Sequence, residues 1–270
     1  MLTRVRPTLR YMMQTEIHVY AFSMAANVLL SLYPFLIVMA WICHYVLKWH
    51  TAEGAIYLGV RDYFPGPVGE WIQRNLPIHI ARHREMQLFS IVMLLFTANG
   101  VFEPLEVALN RAWGIATNRS FVRNQLVSMG LIFMCGSLAL VSTALTAFNE
   151  EMLIKMGFSE QSVVMITGPM IFKVAAAPIS MVGLFLVYWL LPNGRIPAVK
   201  LIPASIGVGA LLELLKYASL LAGPAVSAKL DREYGIFERP VTIILWSFVA
   251  SMIVLMGAEW AARNAQNPVE

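Results

Sequence analysis

Charge is what this sequence has least of. Asp, Glu, Lys and Arg make up 13% of its 270 residues, against roughly 25% in soluble domains. A globule of that length could not cover a water-facing surface with so few charges, so a soluble fold is excluded. Cysteine is nearly absent as well. Cys43 and Cys135 are the two present, each inside an apolar run, which excludes a disulfide framework and leaves two small packing residues. Of the five histidines only His79 and His83 have a helical spacing that could share a metal, and they lie in an arginine-containing connector with no cysteine near. They read as a solvated or interfacial face. There is no glycine-rich phosphate loop, no G-x-S-x-G elbow and no H-x-H-x-D-type cluster. No catalytic residue, metal or cofactor is therefore expected.

What the sequence has instead is apolar length. Hydrophobic residues make up 58% of the chain, and the mean hydropathy is +0.65. Lipid solvates apolar side chains where water does not, and about 20 apolar residues cross a bilayer as a helix. The pattern predicts an all-α polytopic membrane protein: one domain over residues 1–270, a bundle of about six transmembrane helices, with an interfacial helix in the first outer connector. The predicted spans are 21–47, 87–113, 126–148, 171–191, 201–222 and 241–262.

The first span has no Asp, Glu, Lys or Arg from Ala21 to Leu47. It is too long for a signal-peptide core and no small-residue cleavage site follows it, so it reads as an uncleaved first crossing. Pro34 within it removes a backbone donor and predicts a kink. Before it, Thr8–Tyr20 reads as a helix on the membrane surface. Lys48–Met86 is a polar connector broken by Pro65-Gly66-Pro67, with Val68–Ile80 as an interfacial helix around Trp71. The second span is apolar over Leu88–Thr97 but then carries Asn99, Gly100, Glu103, Pro104, Glu106 and Asn110. Its second half is expected to face protein or water, as a continuous helix or a re-entrant segment. The third span is lined with small residues that permit close helix approach, and Asn149–Gln161 after it is polar. Pro192-Asn193-Gly194-Arg195 reads as a tight turn whose glycine admits positive φ. Gly223-Pro224 is read as the stop of the fifth span, leaving Ala225–Arg239 as a polar connector.

The formal net charge is +4. The basic residues cluster in short connectors, where anionic lipid and membrane orientation explain them without nucleic acid. With both termini inside, Arg4, Arg6, Arg10, Arg111, Arg119, Arg123, Arg195, Lys200 and Arg263 fall on the inner side. Ten basic residues fall outside, so it is the short turns after the second and fourth spans, basic and almost free of acid, that favour this orientation.

Ionisable side chains at membrane depth are costly and mark candidate sites. Asn99, Glu103, Glu106 and Asn110 share one helical face. They could line a substrate path, or bond neighbouring helices. Glu213 and Lys216 can pair on one helix, either as a headgroup-binding or coupling pair or as a neutralised pair that fixes packing. Glu259, beside Trp260, reads as an interfacial glutamate at an aromatic belt. Arg111, Arg195 and Glu259 are secondary candidates.

Several segments resemble the YihY/BrkB family of bacterial inner-membrane proteins, some long labelled ribonuclease BN. They are Leu-Leu-Ser-Leu-Tyr-Pro-Phe-Leu (29–36), Asn-Gly-Val-Phe-Glu-Pro-Leu-Glu-Val-Ala-Leu-Asn-Arg-Ala-Trp-Gly (99–114) and Leu-Pro-Asn-Gly-Arg (191–195). Gly-Ala-Leu-Leu-Glu-Leu-Leu-Lys (209–216), Tyr-Gly-Ile-Phe (234–237) and Gly-Ala-Glu (257–259) complete the set. The chain departs at Asn27, where relatives often have an aromatic residue, and in Pro-Asn-Gly-Arg, where a second arginine is common. The resemblance implies six helices, cytoplasmic termini, and an activity in transport or envelope-lipid homeostasis.

Three functions follow as expectations. One is a transporter or flippase for a lipid or amphipathic envelope component, with membrane lipid as its partner. Another is a non-catalytic scaffold that binds an envelope protein through the outer connectors. The third is a ribonuclease, which needs metal ligands or a positioned acid and base that this sequence does not display.

Overall fold

The fold was read from a computed structural model, which describes residues 8, 10–46, 48–49, 54, 56–60, 67–81, 84–116, 119–155 and 178–266. Among the described residues there is no β-strand. Helix α1 spans Thr15–Trp41 and continues as a π-helical turn, Ile42–Val46. It is followed by α2, Pro67–Ala81, α3, Arg84–Trp113, and α4, Phe121–Lys155. Next come α5, Pro178–Leu190, α6, Ala198–Tyr234, and α7, Glu238–Gln266. A 3-10 turn, Gly235–Phe237, joins the last two.

Among the described residues four stretches are long and apolar enough to cross a membrane: Thr15–Val46, Leu88–Trp113, Phe121–Ser142 and Ala198–Ala265. The last holds both α6 and α7. The Lys200 ammonium donates to the Ala265 carbonyl at 2.8 Å, so the start of α6 lies at the end of α7 and the pair forms an antiparallel hairpin. α5 is a shorter apolar helix. It corresponds to the predicted fourth span, whose first residues, 171–177, lie outside the described residues, as do 156–170. The outward faces are inverted relative to a soluble protein: Phe96 is 85% and Leu221 83% exposed. Such side chains have their solvent in lipid tails.

Lipid is as apolar as leucine, so helices in a bilayer are held by close packing and polar contacts more than by a hydrophobic drive. Glycines supply the close approaches. A Cβ on Gly257 of α7 would collide with Val208 of α6 and lie 2.8 Å from the Tyr188 hydroxyl of α5. Tyr188 is fully buried and donates to the Val254 carbonyl at 2.6 Å, which pins α5 to α7. At Gly100 a Cβ would strike the Asn27 side chain, and at Gly136 the ring of Phe35 at 2.5 Å. Thus α1 meets α3 and α4 at glycine contacts.

The core has two parts. One, nearer the chain termini, includes Ile17, Ala21, Leu105, Leu109, Leu191, Leu201 and Leu255. The other includes Leu36, Ala40, Cys43, Ile56, Val60, Ile72, Leu76 and Ile243. The helix predicted over Val68–Ile80 is present as α2. Its i, i+4 pair Ile72 and Leu76 is buried on the far end of α1, while Trp71 stays 42% exposed and meets the Tyr33 ring at 5.8 Å.

Several local expectations are corrected. The predicted surface helix over 8–20 is helical at 8 and 10–12, breaks at 13–14, and continues as α1 itself. Gln14 has extended backbone, φ −76 and ψ 133. Gly223-Pro224 does not stop the fifth span: α6 runs through Pro203 and Pro224 to Tyr234. Proline removes one intrahelical bond, and preceding turns hold the helix when neighbours pack against it. The reversal falls instead at Gly235, φ +53. Likewise α4 carries its helix through 149–155, which reads as polar connector in sequence. Gly194 does not use positive φ. It is needed for space, since a Cβ there would lie 2.8 Å from the Ile115 side chain.

Candidate functional site

The polar second span is one continuous helix, α3, through Gly100 and Pro104. It ends at a strong stop signal. Gly114 takes φ +67, and the Gly114 and Ile115 amides donate to the carbonyls of Arg111 and Asn110 at 3.2 and 2.8 Å. A left-handed glycine closing a helix this way satisfies its last carbonyls.

The four polar residues of the stripe divide. Asn99 accepts from Asn124 at 3.1 Å and from Ser128 at 3.3 Å, both on α4. It donates to Glu103 at 3.2 Å. Glu103 is exposed at the rim. Glu106 and Asn110 are buried. The Asn110 side-chain oxygen accepts the Asn193 amide at 2.9 Å, stitching the end of α3 to the turn between α5 and α6. Glu106 Oε2 is buried with no hydrogen-bond partner, and its charge acts on Arg119. Asn99 and Asn110 therefore join elements, Glu106 lies buried beside the basic end of the bundle, and Glu103 stays exposed.

That end also holds both described ends of the chain. Thr8 is buried. It donates to Glu259 at 3.3 Å and accepts from Arg263 at 2.5 Å, while Arg263 pairs with Glu259 at 3.2 Å. Glu259 is thus a tether for the N-terminal segment rather than an isolated belt residue. Burial, and next the Glu259 carboxylate, push the Tyr11 phenol up to about 12. Arg111 pairs with Glu16 on the bundle exterior. Arg195 is exposed and lines a cleft with Arg119 and Arg123.

Glu213 and Lys216 sit elsewhere. Their ion pair is 2.8 Å long and each side chain is 22% exposed. Ser180 of α5 donates to Glu213 at 3.5 Å, and the Lys216 ammonium lies 5.5 Å from the Tyr217 ring centre. The pair lines a cavity of about 300 Å³ bounded by Leu184, Gly209, Leu212 and Trp246, with Ser219 and Ser247 as further hydroxyls. By helical rise Glu213 lies ~22 Å along α6 from its first residue, near the middle of this 37-residue helix. Among the described residues the walls come from α5, α6 and α7, and none from α3. Helix α7 packs against both α3 and α6, so the two charged groups are not joined in one groove. Ser180, Trp246 and Ser247 carry no signal in the sequence that singles them out. Among the described residues no group of three His, Cys, Asp or Glu is placed to hold a metal ion.

A family model described as Virulence factor BrkB matches residues 8–269. A UPF0761 membrane protein of Acinetobacter baylyi is 28% identical over 181 residues, covering 64% of this chain and 41% of that protein. One from Pseudoalteromonas translucida is 25% identical over 262 residues, covering 94% and 83%. One from Pseudomonas aeruginosa is 23% identical over 246 residues, covering 88% and 57%. The chain thus spans about half the length of the Acinetobacter and Pseudomonas relatives, and most of the Pseudoalteromonas one. Their names state a membrane protein and no activity. No solved structure matches the chain.

Proposed function

This chain belongs to the BrkB family, and on that premise we propose that it moves a lipid, or another amphipathic envelope component, through a polar site inside the bacterial inner membrane. It is an integral membrane protein. The observation that carries the reading is the Glu213–Lys216 pair, 2.8 Å apart, on the wall of a mainly apolar cavity at mid-helix. An amphipathic ligand needs one place for a charged or dipolar head and another for its chains. A neutralised pair supplies opposite charges to the head and costs less to hold at depth than a single charge. The leucines and Trp246 supply the apolar wall. Glu106 and Asn110 form a second polar station near the basic end, which a moving headgroup would meet on its own side of α7.

The orientation is part of the proposal. Arg111, Arg119, Arg123, Arg195, Lys200 and Arg263 gather at the end that holds both described chain ends, and short basic segments favour the cytoplasm. Reporter fusions to each terminus check this directly. The transport reading is tested by native mass spectrometry of gently extracted protein. It expects a bound lipid or small amphiphile that is lost in Glu213→Gln and weakened in Glu106→Gln. Protein that carries no such ligand, but co-purifies with a stoichiometric envelope protein, would move the assignment to a scaffold.

A further inference from the structure

The basic end carries a feature that the transport reading does not use. A cleft of about 1010 Å³ opens between the starts of α4 and α6 and the end of α5, lined by Arg119, Arg123, Arg195, Ser120, Trp189 and Asn193 among others. We propose that this cleft is a binding site for a phosphate-bearing anion.

Among the described residues three guanidinium groups line it, and no carboxylate does. Like charges gathered this closely repel unless an anion lies among them. Arg119 is fixed rather than free: one of its terminal nitrogens donates to the carbonyls of Leu190 and Pro192 at 3.0 and 2.6 Å. The other terminal nitrogen is buried and has no hydrogen-bond partner. Burial lowers the affinity of Arg119 for its proton and the Arg123 charge adds to that, while Glu106 alone among its named neighbours opposes. One carboxylate behind three arginines leaves the cleft strongly positive.

The backbone adds to this. Both α4 and α6 begin at the cleft, and neither has an acidic residue in its first turn. The N-cap of α6, Pro197, offers no side-chain hydrogen bond. The uncapped start of α6 therefore adds partial positive charge to that of the arginines. Arginine forks match phosphate oxygens in pairs, which favours phosphate over a simple halide. Trp189 is 44% exposed at the end of α5, the position of an aromatic anchor at headgroup depth. The anion is either a phospholipid headgroup or free phosphate.

The test titrates purified protein in detergent with short-chain phosphatidylglycerol, the matching diacylglycerol, and inorganic phosphate, read by native mass spectrometry and calorimetry. Phosphatidylglycerol is expected to bind at least about tenfold more tightly than diacylglycerol. Arg123→Gln with Arg195→Gln is expected to remove most of that difference. These two side chains are exposed, so the double variant should elute as the parent protein does. If it does not, the wild-type salt dependence still decides, since a phosphate held by arginines weakens with ionic strength. Saturable binding of inorganic phosphate that competes with the lipid assigns a free anion as the source. Lipid binding that phosphate does not displace assigns the headgroup. Equal binding of phosphatidylglycerol and diacylglycerol, with no salt dependence and no phosphate binding, would overturn the site. In a Glu213→Gln background, which removes the charge pair of the α5–α7 cavity, the part of the binding that Arg123→Gln with Arg195→Gln abolishes should persist, and this separates failure of the cleft from failure of the transport reading.

Discussion

Consider the removal of one member of the Glu213–Lys216 pair. At 2.8 Å and an effective dielectric of about 20, the gross attraction is about 6 kcal/mol. Most of that is cancelled by the cost of taking both charges out of water. Losing one partner is worse than losing both, because a single charge is then stranded on an apolar wall. For a fully buried pair that costs about 3–5 kcal/mol. Each of these side chains is 22% exposed, so about 2–3 kcal/mol is expected for Glu213→Gln or for Lys216→Met. The double variant should cost less than the sum, with a coupling of about 1–3 kcal/mol. The assay is a double-mutant cycle on unfolding in mixed micelles, driven by a denaturing detergent and followed by helical circular dichroism. Additivity within about 0.5 kcal/mol would refute the reasoning, because it would mean that water screens both charges and that the cavity is not at membrane depth.

Three further outcomes are expected. Gly257→Ala forces a Cβ into Val208 and the Tyr188 hydroxyl and should destabilise by about 1–3 kcal/mol, seen as a lower thermal midpoint in detergent; an unchanged midpoint would contradict the close α5–α6–α7 packing. Asn110→Ala removes the acceptor of the Asn193 amide and should cost about 1–2 kcal/mol, with faster hydrogen exchange at residues 191–194 and little change at α1. Tyr11 ionises near pH 10.0 when free and at about 12 in place. Its contribution is therefore complete below pH 10 and is lost as pH rises through about 12, so proteolytic nicking of the N-terminal segment should rise across that window.

The membrane class was legible because lipid imposes it on every outward side chain: residues such as Phe96 and Leu221 have no other solvent. The helix α2 was legible from the apolar residues around Trp71 that follow the Pro65-Gly66-Pro67 break. The stop of α3 at Trp113-Gly114 lay in the sequence as a C-terminal glycine. Other features were hidden because they depend on neighbours. Gly223-Pro224 looks like a helix end in isolation, yet α6 passes through it. Gly194 looks like a conformational glycine, yet it makes room for Ile115. Periodicity placed Asn99, Glu103, Glu106 and Asn110 on one face correctly. It could not say that α4 and the α5–α6 turn would claim most of that face and leave Glu103 at the rim. Nor could it say that α7 would stand against both α3 and α6. The structure gives each of the two charged groups its own surroundings. The arginine cleft was present in sequence only as a run of basic turns, because Arg119, Arg123 and Arg195 meet through the packing of α4, α5 and α6.

The central claim is that the Glu213–Lys216 cavity handles an amphipathic ligand within the bilayer. The most direct measurement is a lipid-translocation assay on purified protein in vesicles, with a headgroup-labelled phospholipid and an impermeant quencher. The account predicts that wild-type protein exposes inner-leaflet label to the quencher, and that Glu213→Gln with Lys216→Met, folded and inserted to the same level, does not. Equal translocation by both proteins, or none above empty vesicles for the wild type, would contradict it.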